Sequence, residues 1–378
     1  MAADRQKLIL AAKVLKDDRT VASLSISESD FIVIMVMKET AKPKIATVSA
    51  LRTGGGAARM PTSRTTMSTL VRRGIVPDTA VPDCTAVGNL TRDVAITLIA
   101  RQPYPGFAIE TLLTKVPCGQ AFVLKGRKTG DDQKVAIKVF LRGDRREFDQ
   151  ETNIHSLVGT HKNIMPLLAS FGDIPNVPRA LMMPLAETGE LLDAVFNWRV
   201  RSGGSTMLIV QYARGVAEGL AYLHERGVVH LDVKCENVLV SRNVPLLTDF
   251  GLATRFGREG RDTLRYGGTT PFMAPEILID DSSTVTGDAA KVDVYAYGML
   301  VFEMLHGICP WLNVFPCPPP FDFEAWGGKV CAEVKRGDRP PIDGRFTSDA
   351  LSRLIQDCWG QEPSRRPTMA AVVARLRP

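Results

Sequence analysis

The segment VVHLDVKCENVLV, residues 228–240, carries three functional side chains between valine-rich flanks. Asp232 is followed two residues later by Lys234 and five residues later by Asn237. The three residues stand in an otherwise apolar run. The question is which chemistry needs a carboxylate, an ammonium and an amide at that spacing.

Two distant segments supply groups that complement this loop. LLTDFGLAT, residues 246–254, contains Asp249, and KVAIKVF, residues 134–140, contains Lys138 in a strand pattern. An amide and a carboxylate offer the hard oxygen ligands that Mg²⁺ prefers. Phosphoryl transfer needs a carboxylate to position the attacking hydroxyl and cations to neutralise the moving group. Together the three segments predict a phosphoryl-transfer site.

The composition excludes several other classes. Hydrophobic residues make up 45% and charged residues 23% of the 378 residues, which is typical of a globular protein. The net charge of +6 is spread along the chain without Lys/Arg blocks interleaved with aromatic residues, so we expect no nucleic-acid partner. The seven cysteines are scattered and never spaced as CxxC, which argues against disulfides and structural zinc.

The longest apolar segment, residues 294–312, is interrupted by Glu303 and His306 and predicts a buried helix, not a membrane span. The N-terminal residues resemble neither a signal peptide nor a transit peptide. We therefore expect no membrane association and a location in the cytoplasm or the nucleus.

The chain divides into three regions of different texture. Residues 1–38 alternate apolar runs with charges and end in a β-rich run, whereas residues 39–104 are rich in Gly, Pro, Ser and Thr and predict a flexible linker. In residues 105–378, strand-like runs come first and long helical patterns follow. This order predicts an α+β domain of two lobes, one small and β-rich and one larger and helical, with a cleft between them.

Six short motifs occur in a characteristic order from about residue 107 to the end. They are VAIK (135–138), HLDVKCEN (230–237), DFG (249–251), MAPE (273–276), DVYAYG (293–298) and PSRRP (363–367). In this order they resemble the eukaryotic protein kinase family. The resemblance implies the two-lobed kinase fold, ATP and Mg²⁺ as cofactors, and a protein substrate.

The resemblance also implies roles for individual residues. Lys138 would bind the α and β phosphates of ATP, paired with Glu151. Asp232 would orient the substrate hydroxyl and accept its proton, while Lys234 would neutralise the γ-phosphate. Metal ions would be held by Asn237 and Asp249.

The nucleotide pocket would be completed by apolar and hinge residues at the family's positions. Met183 stands at the gatekeeper position, which makes residues 184–186 the hinge. The other residues expected to line the pocket are Val116, Val123, Ala136, Pro184, Ala186 and Leu239. Glu276 and Arg366 would form the buried ion pair behind the activation segment.

The substrate class follows from two further likenesses. Lys234, with GGTTPFMAPE at residues 267–276, resembles serine/threonine kinases, and Thr269 would hydrogen-bond to Asp232 and to that lysine. CWGQEPSRRPTM (358–369) and VKRGDRPPI (334–342) resemble the tyrosine-kinase-like branch of serine/threonine kinases.

The phosphate-covering loop departs from the family pattern. It reads VPCGQAFV, residues 116–123, so Val116, Cys118 and Ala121 occupy the three positions of glycine. Glycine there lets backbone N–H groups approach the phosphates, and Pro117 removes a further donor. These substitutions support an alternative in which the chain is a weakly active or inactive pseudokinase that acts as a scaffold.

Two other positions also depart from the pattern. Leu231 replaces the arginine that usually precedes the catalytic aspartate, so a phosphate on the activation segment lacks its usual cation. We therefore expect activity without phosphorylation between Asp249 and Glu276. His155 replaces an apolar residue of the family, and we expect it to be neutral and packed.

The N-terminal segment carries a second resemblance. Residues 4–36, DRQKLILAAKVLKDDRTVASLSISESDFIVIMV, are similar to the second half of ubiquitin, with Ile9 at the centre of the family's binding patch and Val33 and Met35 beside it. A segment of this length buries little apolar surface by itself. The segment is therefore a degenerate remnant, a part of a once longer domain, or a piece that completes itself against something else. In the last case the likeness implies docking to a ubiquitin-receptor or proteasome-type partner.

Overall fold

The computed structural model describes residues 6–10, 13–14, 32–36, 85–113, 121–140, 145–202, 206–257, 261–263, 267–278, 284–286, 288–316 and 322–377. The chain forms two compact units. One contains the described strands before residue 40, and the other contains all described residues from 85 onward.

The first unit contains a small antiparallel sheet. Its strands are β1 (Gln6–Leu10), β2 (Lys13–Val14) and β3 (Ile32–Val36), in the order β2-β1-β3. β1 pairs with both neighbours, and its register sets Ile9 opposite Val33. The strand predicted at the end of this segment is confirmed.

The small lobe of the second unit is a five-stranded antiparallel sheet with one helix before it and one inserted in it. Its elements are α1 (Thr85–Arg101), β4 (Phe107–Leu112), β5 (Ala121–Lys128), β6 (Lys134–Phe140), α2 (Arg145–Val158), β7 (Ala169–Phe171) and β8 (Ala180–Pro184). The strand order is β4-β5-β6-β8-β7. The β-rich first lobe is thereby confirmed.

Alternation along β6 gives the sheet two different faces, because successive side chains of a strand point to opposite sides. Ile137 is fully buried in a core to which Ala95 and Leu98 of α1 also contribute. Ala136 and Lys138 lie on the other face of the strand. One face is thus covered by a helix, and the other carries the lysine of the predicted site.

The prediction of a flexible linker up to residue 104 is wrong for its last part, because Thr85–Arg101 is a helix. The spacing of Ala95 and Leu98 puts both side chains on one helical face. Burial of that face against the sheet stabilises the helix, although the surrounding sequence predicts helix only weakly. Tyr104, just after the helix, is also buried, and its hydroxyl donates to Pro178 O at 2.9 Å. This helix belongs to the small lobe.

The large lobe is mostly helical, as predicted. Its helices are α3 (Leu191–Ser202), α4 (Met207–Glu225), α5 (Pro275–Leu278), α6 (Ala290–His306), α7 (Phe323–Arg336), α8 (Asp349–Cys358) and α9 (Met369–Arg375). Short strands are β9 (Gly189–Glu190), β10 (Val228–Val229), β11 (Val238–Ser241), β12 (Val244–Leu247), β13 (Thr254–Arg255), β14 (Arg261–Thr263) and β15 (Thr284–Thr286).

Helix α6 forms the centre of the large lobe, and nearly all of its side chains are buried. A helix that is apolar on every side must be surrounded by protein. Within the described part of the chain, no helix has both the length and the apolar character required to cross a bilayer. Four described cysteines, Cys235, Cys309, Cys331 and Cys358, are buried and form no disulfide.

A bidentate ion pair fastens α5 to the C-terminal part of the large lobe. Arg366 Nη1 and Nη2 lie 2.6 and 2.7 Å from the two carboxylate oxygens of Glu276. The remaining donors of the buried guanidinium reach the carbonyls of Gly360, Lys291 and Gln361. All five N–H groups are therefore used, which is the condition for burying an arginine.

Replacing Arg366 by alanine should lower the free energy of unfolding by about 3–5 kcal/mol, because it leaves the Glu276 carboxylate partly buried without its partner. Urea denaturation followed by circular dichroism measures the change. Arg375→Ala is the matched control, since its pair with Asp357 is exposed, and it should cost at most about 0.5 kcal/mol. Equal effects of the two substitutions would contradict the assignment of Arg366 as the fastening residue.

Candidate active site

The β11–β12 hairpin explains why Asn237 and Asp249 come together although 12 residues separate them. In its register Val238 lies opposite Leu247, and Thr248 N donates to Asn237 O at 3.0 Å. The two predicted metal ligands therefore stand at adjoining ends of one antiparallel pair.

Asp232 is the centre of a closed hydrogen-bond network. Lys234 Nζ lies 2.9 Å from Asp232 Oδ2 and 2.7 Å from Thr269 Oγ1. The Thr269 hydroxyl donates to Asp232 Oδ1 at 2.7 Å, and Asn237 Nδ2 donates to Asp232 Oδ2 at 2.7 Å. Both oxygens of the carboxylate are thus held in place, and Lys234 is almost fully buried.

The backbone of this loop is fixed from below by α6. Asp293 accepts hydrogen bonds from His230 N at 2.8 Å and from Leu231 N at 2.9 Å. Leu231 has a φ of 65°, a left-handed conformation that a branched side chain seldom adopts. Burial alone would raise the pKa of Asp293, but its hydrogen bond with His224 holds the pKa below the ordinary value. A carboxylate in the core therefore sets the strained turn just before Asp232.

Gly268 allows Thr269 to reach this network. It has a φ of 111°, and a Cβ at this position would lie 2.7 Å from Leu231 O. Only glycine fits such a backbone at such a contact. Gly268 therefore lies directly against the turn that carries Asp232.

A second cluster surrounds Lys138 on the open face of the sheet. Its ammonium lies 2.7 Å from Glu151 Oε2 and 2.9 Å from Asp249 Oδ1. Glu147, one helical turn before Glu151 on α2, approaches to 4.0 Å. Three chain segments, namely β6, α2 and the turn after β12, thus meet at one ammonium.

The charged groups of this cluster strongly shift one another's pKa values. Burial alone would lower the pKa of Lys138, but the three carboxylates outweigh burial and hold it above the ordinary value. Burial raises the pKa of Glu151 to about 7, although the lysine opposes the shift. For Asp249, the attraction of Lys138 overcomes the effect of burial and lowers the pKa to about 2. Asp249 is therefore more acidic than Glu151 and remains ionised.

The donor set fits a divalent cation. Oxygens of Glu147, Glu151 and Asp249 lie within 4.8 Å of one another, a spacing at which they could hold one ion. Asn237 uses its Nδ2 on Asp232, which leaves Oδ1 as an acceptor. Carboxylate and amide oxygens are what Mg²⁺ prefers, so the residues present fit the metal that the sequence predicts.

The predicted hinge continues the pairing of β8 with β6. Leu185 N donates to Lys134 O at 3.0 Å, and the register sets Pro184 opposite Val135. Because hydrogen-bonded and non-hydrogen-bonded pairs alternate, Pro184 occupies a non-bonded pair and directs its peptide groups away from β6. Its missing N–H therefore costs the ladder nothing. Ala186 follows two residues later and is half-buried.

The other predicted pocket residues that the structure describes fall on three strands of the small lobe and one of the large lobe. Val123 is paired with Lys138 across β5 and β6, and Ala136 with Met183 across β6 and β8. All four share the face of the sheet opposite the α1 core. Leu239 lies in β11, opposite Glu190. Val116 lies outside the described residues, as do the other residues of 114–120. The effect of the missing glycines on nucleotide binding therefore stays a prediction.

His155 packs against Phe250, the residue after Asp249. The two rings meet edge to face with centroids 4.9 Å apart, and Nε2 of the buried His155 has no hydrogen-bond partner among the described residues. Burial, together with the charge of Lys138, lowers the pKa of His155 to about 4. The histidine is therefore neutral at physiological pH, as expected.

Two functional groups on α2 were not found from the sequence. Glu147 adds a third carboxylate to the Lys138 cluster, and Gln150 contacts the segment after Asp249. The four-residue spacing of Glu147 and Glu151 puts both on one helical face, which is a usable signal. Nothing local indicates the partner of Gln150, because that contact joins residues 103 positions apart.

Comparison with known families now identifies the chain. A family model described as protein kinase domain matches residues 119–376, and one described as ubiquitin family matches residues 1–39. The first match covers more than half of the 378 residues. The chain therefore belongs to the protein kinase family, and its N-terminal segment is ubiquitin-like.

Its relatives include several protein kinases. Serine/threonine-protein kinase STY17 of Arabidopsis thaliana is 29% identical over 269 residues, which are 69% of this chain and 43% of that protein. Activin receptor type-1 of Mus musculus is 28% identical over 280 residues, 66% of this chain and 53% of the receptor. MAP3K epsilon protein kinase 1 of Brassica napus is 26% identical over 236 residues, 62% of this chain and 17% of that protein. The chain spans about half or less of the length of these relatives.

Buried neutral His155 should make the protein lose stability in acid. Its folded pKa of about 4 lies below the ordinary 6.5, so the stability it contributes is complete above pH 6.5 and is lost as the pH falls toward 4. Between pH 8 and pH 5 the loss amounts to about 2 kcal/mol. We expect His155→Leu to remove that part of the decrease, as measured by urea denaturation at several pH values. Parallel pH dependences for the variant and the natural protein would contradict this.

Proposed function

We propose that the chain is an ATP-dependent serine/threonine protein kinase that transfers the γ-phosphate of Mg-ATP to a protein hydroxyl. The observation that carries the proposal is the network around Asp232, in which Lys234, Asn237 and Thr269 hold both carboxylate oxygens. A carboxylate so fixed beside a buried ammonium suits the positioning of a hydroxyl and the neutralisation of a phosphate.

The reaction would use the two clusters for different tasks. Lys138, held by Glu151, binds the α and β phosphates, so that the γ-phosphorus faces Asp232. The substrate oxygen attacks the γ-phosphorus, the bond to the β-phosphate oxygen breaks, and the hydroxyl proton passes to Asp232. Lys234 balances the charge of the transferred group. Asn237 and Asp249 would hold Mg²⁺, which neutralises charge on the phosphates.

The proposed choice of serine and threonine is supported by Thr269 and Lys234, whose contact at 2.7 Å occupies the space directly beside Asp232. It is also supported by relatives such as STY17, which is named as a serine/threonine-protein kinase. No feature of the described residues identifies the protein substrate.

The alternative function is that of a weakly active or inactive pseudokinase scaffold. One observation favours it, namely the replacement of glycine by Val116, Cys118 and Ala121 in the phosphate-covering loop. Fewer backbone donors near the phosphates would weaken nucleotide binding. The intact Lys138 and Asp232 clusters favour the enzyme.

For the ubiquitin-like segment we propose docking to a ubiquitin-receptor or proteasome-type partner. The match to the ubiquitin family over residues 1–39 and the register that sets Ile9 opposite Val33 support this. We further propose a reducing compartment, the cytoplasm or the nucleus, which suits the four buried cysteines of the large lobe that form no disulfide.

Asp232→Asn should lower kcat by a factor on the order of 100 or more, because the variant cannot accept the substrate proton. Radiolabelled phosphate transfer to a generic protein substrate, followed by phosphoamino acid analysis, measures the rate and should yield phosphoserine or phosphothreonine. Asp173→Asn is the control, since its side chain is 91% exposed and far from the network.

The same samples are heated with and without Mg-ATP to separate catalysis from binding. A thermal shift retained in Asp232→Asn would show that the variant is folded and binds the nucleotide. Absence of transfer by the natural protein despite such a shift would favour the scaffold.

A further inference from the structure

Gln150 joins helix α2 to the segment that follows Asp249. Its side-chain Nε2 donates to the carbonyl oxygen of Ala253, a fully buried residue. A carbonyl can only accept, so the contacting atom of the glutamine must be the nitrogen. Gln150 immediately precedes Glu151, the partner of Lys138.

The segment that Gln150 contacts is itself fixed to the large lobe. Ala253 N donates to Phe250 O at 3.1 Å, which closes the turn after Asp249. The next residue, Thr254, pairs with Val229 in the β10–β13 ladder, and Phe256 N donates to Gly227 O at 2.8 Å. The carbonyl of Ala253 is therefore a rigid acceptor that belongs to the large lobe.

Helix α2 contacts this turn through two residues three positions apart. A Cβ at Gly251 would lie 2.9 Å from Glu147 Cγ, so a larger residue there would have to displace the Glu147 side chain. Because Glu147 and Gln150 lie on one face of the helix, that face meets the turn. A continuous series of contacts thus leads from the large lobe through Ala253 and Gln150 to Glu151 and Lys138.

The charges around this junction disfavour a phosphate as the joining group. Leu231 offers no cation, and the carboxylates of Glu147, Glu151 and Asp249 gather within 4.8 Å of one another beside Lys138. A further dianion beside these carboxylates would be repelled. A neutral amide that donates to a carbonyl joins the same two elements without adding charge.

We infer that Gln150 is a positioning residue that holds α2, and with it the Lys138–Glu151 pair, in the arrangement needed for phosphoryl transfer, without phosphorylation of the chain. The inference rests on the proposed kinase activity and adds to it the means by which the site is assembled. Gln150 acts through Glu151 and Lys138 and does not itself touch the reacting atoms.

The test compares two substitutions that remove the donor with one that does not. Gln150→Glu keeps the size but replaces the N–H group by a carboxylate oxygen, and Gln150→Ala removes the side chain beyond Cβ. Asp149→Asn is the matched control, since it alters the exposed neighbour of Gln150 on the same helix. All proteins are the full chain, assayed before and after treatment with a protein phosphatase.

We expect both Gln150 variants to lose about 5- to 10-fold in kcat, the equivalent of one hydrogen bond, and to show a raised KM for ATP. The KM for the protein substrate should stay within about twofold, because the network around Asp232 is unchanged. The natural protein and Asp149→Asn should keep their activity after phosphatase treatment. Full kcat in both Gln150 variants, or loss of the natural activity on dephosphorylation, would overturn the inference.

Hydrogen exchange supplies a readout that does not depend on activity. Amides of residues 145–158 and 250–256 should exchange faster together in both Gln150 variants than in Asp149→Asn. Should the natural protein transfer no phosphate at all, the proposed function fails, while faster exchange in both segments still supports the junction. Unchanged exchange in the two segments would overturn it whatever the activity.

Discussion

The burial of two lysine ammonium groups is the constraint on which the rest of the structure depends. Lys138 and Lys234 are both largely removed from water, and a buried charge is tolerated only when it is paired and hydrogen-bonded. Lys138 accordingly has carboxylates at 2.7 and 2.9 Å, and Lys234 has carboxylates at 2.9 and 3.6 Å. Satisfying this requirement fixes the positions of elements from both lobes.

The partners of Lys138 come from both lobes, so its ion pairs form only when the two lobes are correctly arranged. Glu151 is on α2 and Asp249 is on the turn after β12, so the ammonium is paired only when helix, sheet and turn meet. The carboxylates of Glu147, Glu151 and Asp249 gather at this point. Their oxygens are ligands that a divalent cation bound with a nucleotide would accept.

The elements that the sequence could predict are those whose signals are local. The order of strands and helices, and the roles assigned to residues such as Asp232 and Asn237, follow from short motifs at fixed spacing. The helix Thr85–Arg101 was assigned to a linker because its neighbours are rich in Gly and Pro, although Ala95 and Leu98 already have the spacing of a buried helical face. Gln150 could not be found, since its partner is set by tertiary contacts alone.

The departures at residues 231 and 155 have physical consequences of different kinds. Leu231 keeps the strained backbone that Asp293 stabilises, so the loop retains its shape while it lacks the cation. His155 keeps the packing against Phe250 and carries a nitrogen that stays unprotonated. Leu231 therefore supplies no cation to the Asp232 network, and the neutral His155 adds no charge beside Phe250.

Calorimetric titration with ATP, in Mg²⁺ and in a chelator, tests the central claim most directly when the natural protein is compared with Asp249→Asn. The account predicts that Mg²⁺ tightens ATP binding at least about tenfold in the natural protein and that Asp249→Asn loses most of this gain. An affinity for ATP that is the same with and without Mg²⁺, or a gain that survives Asp249→Asn, would contradict a cation site at the junction of the two clusters.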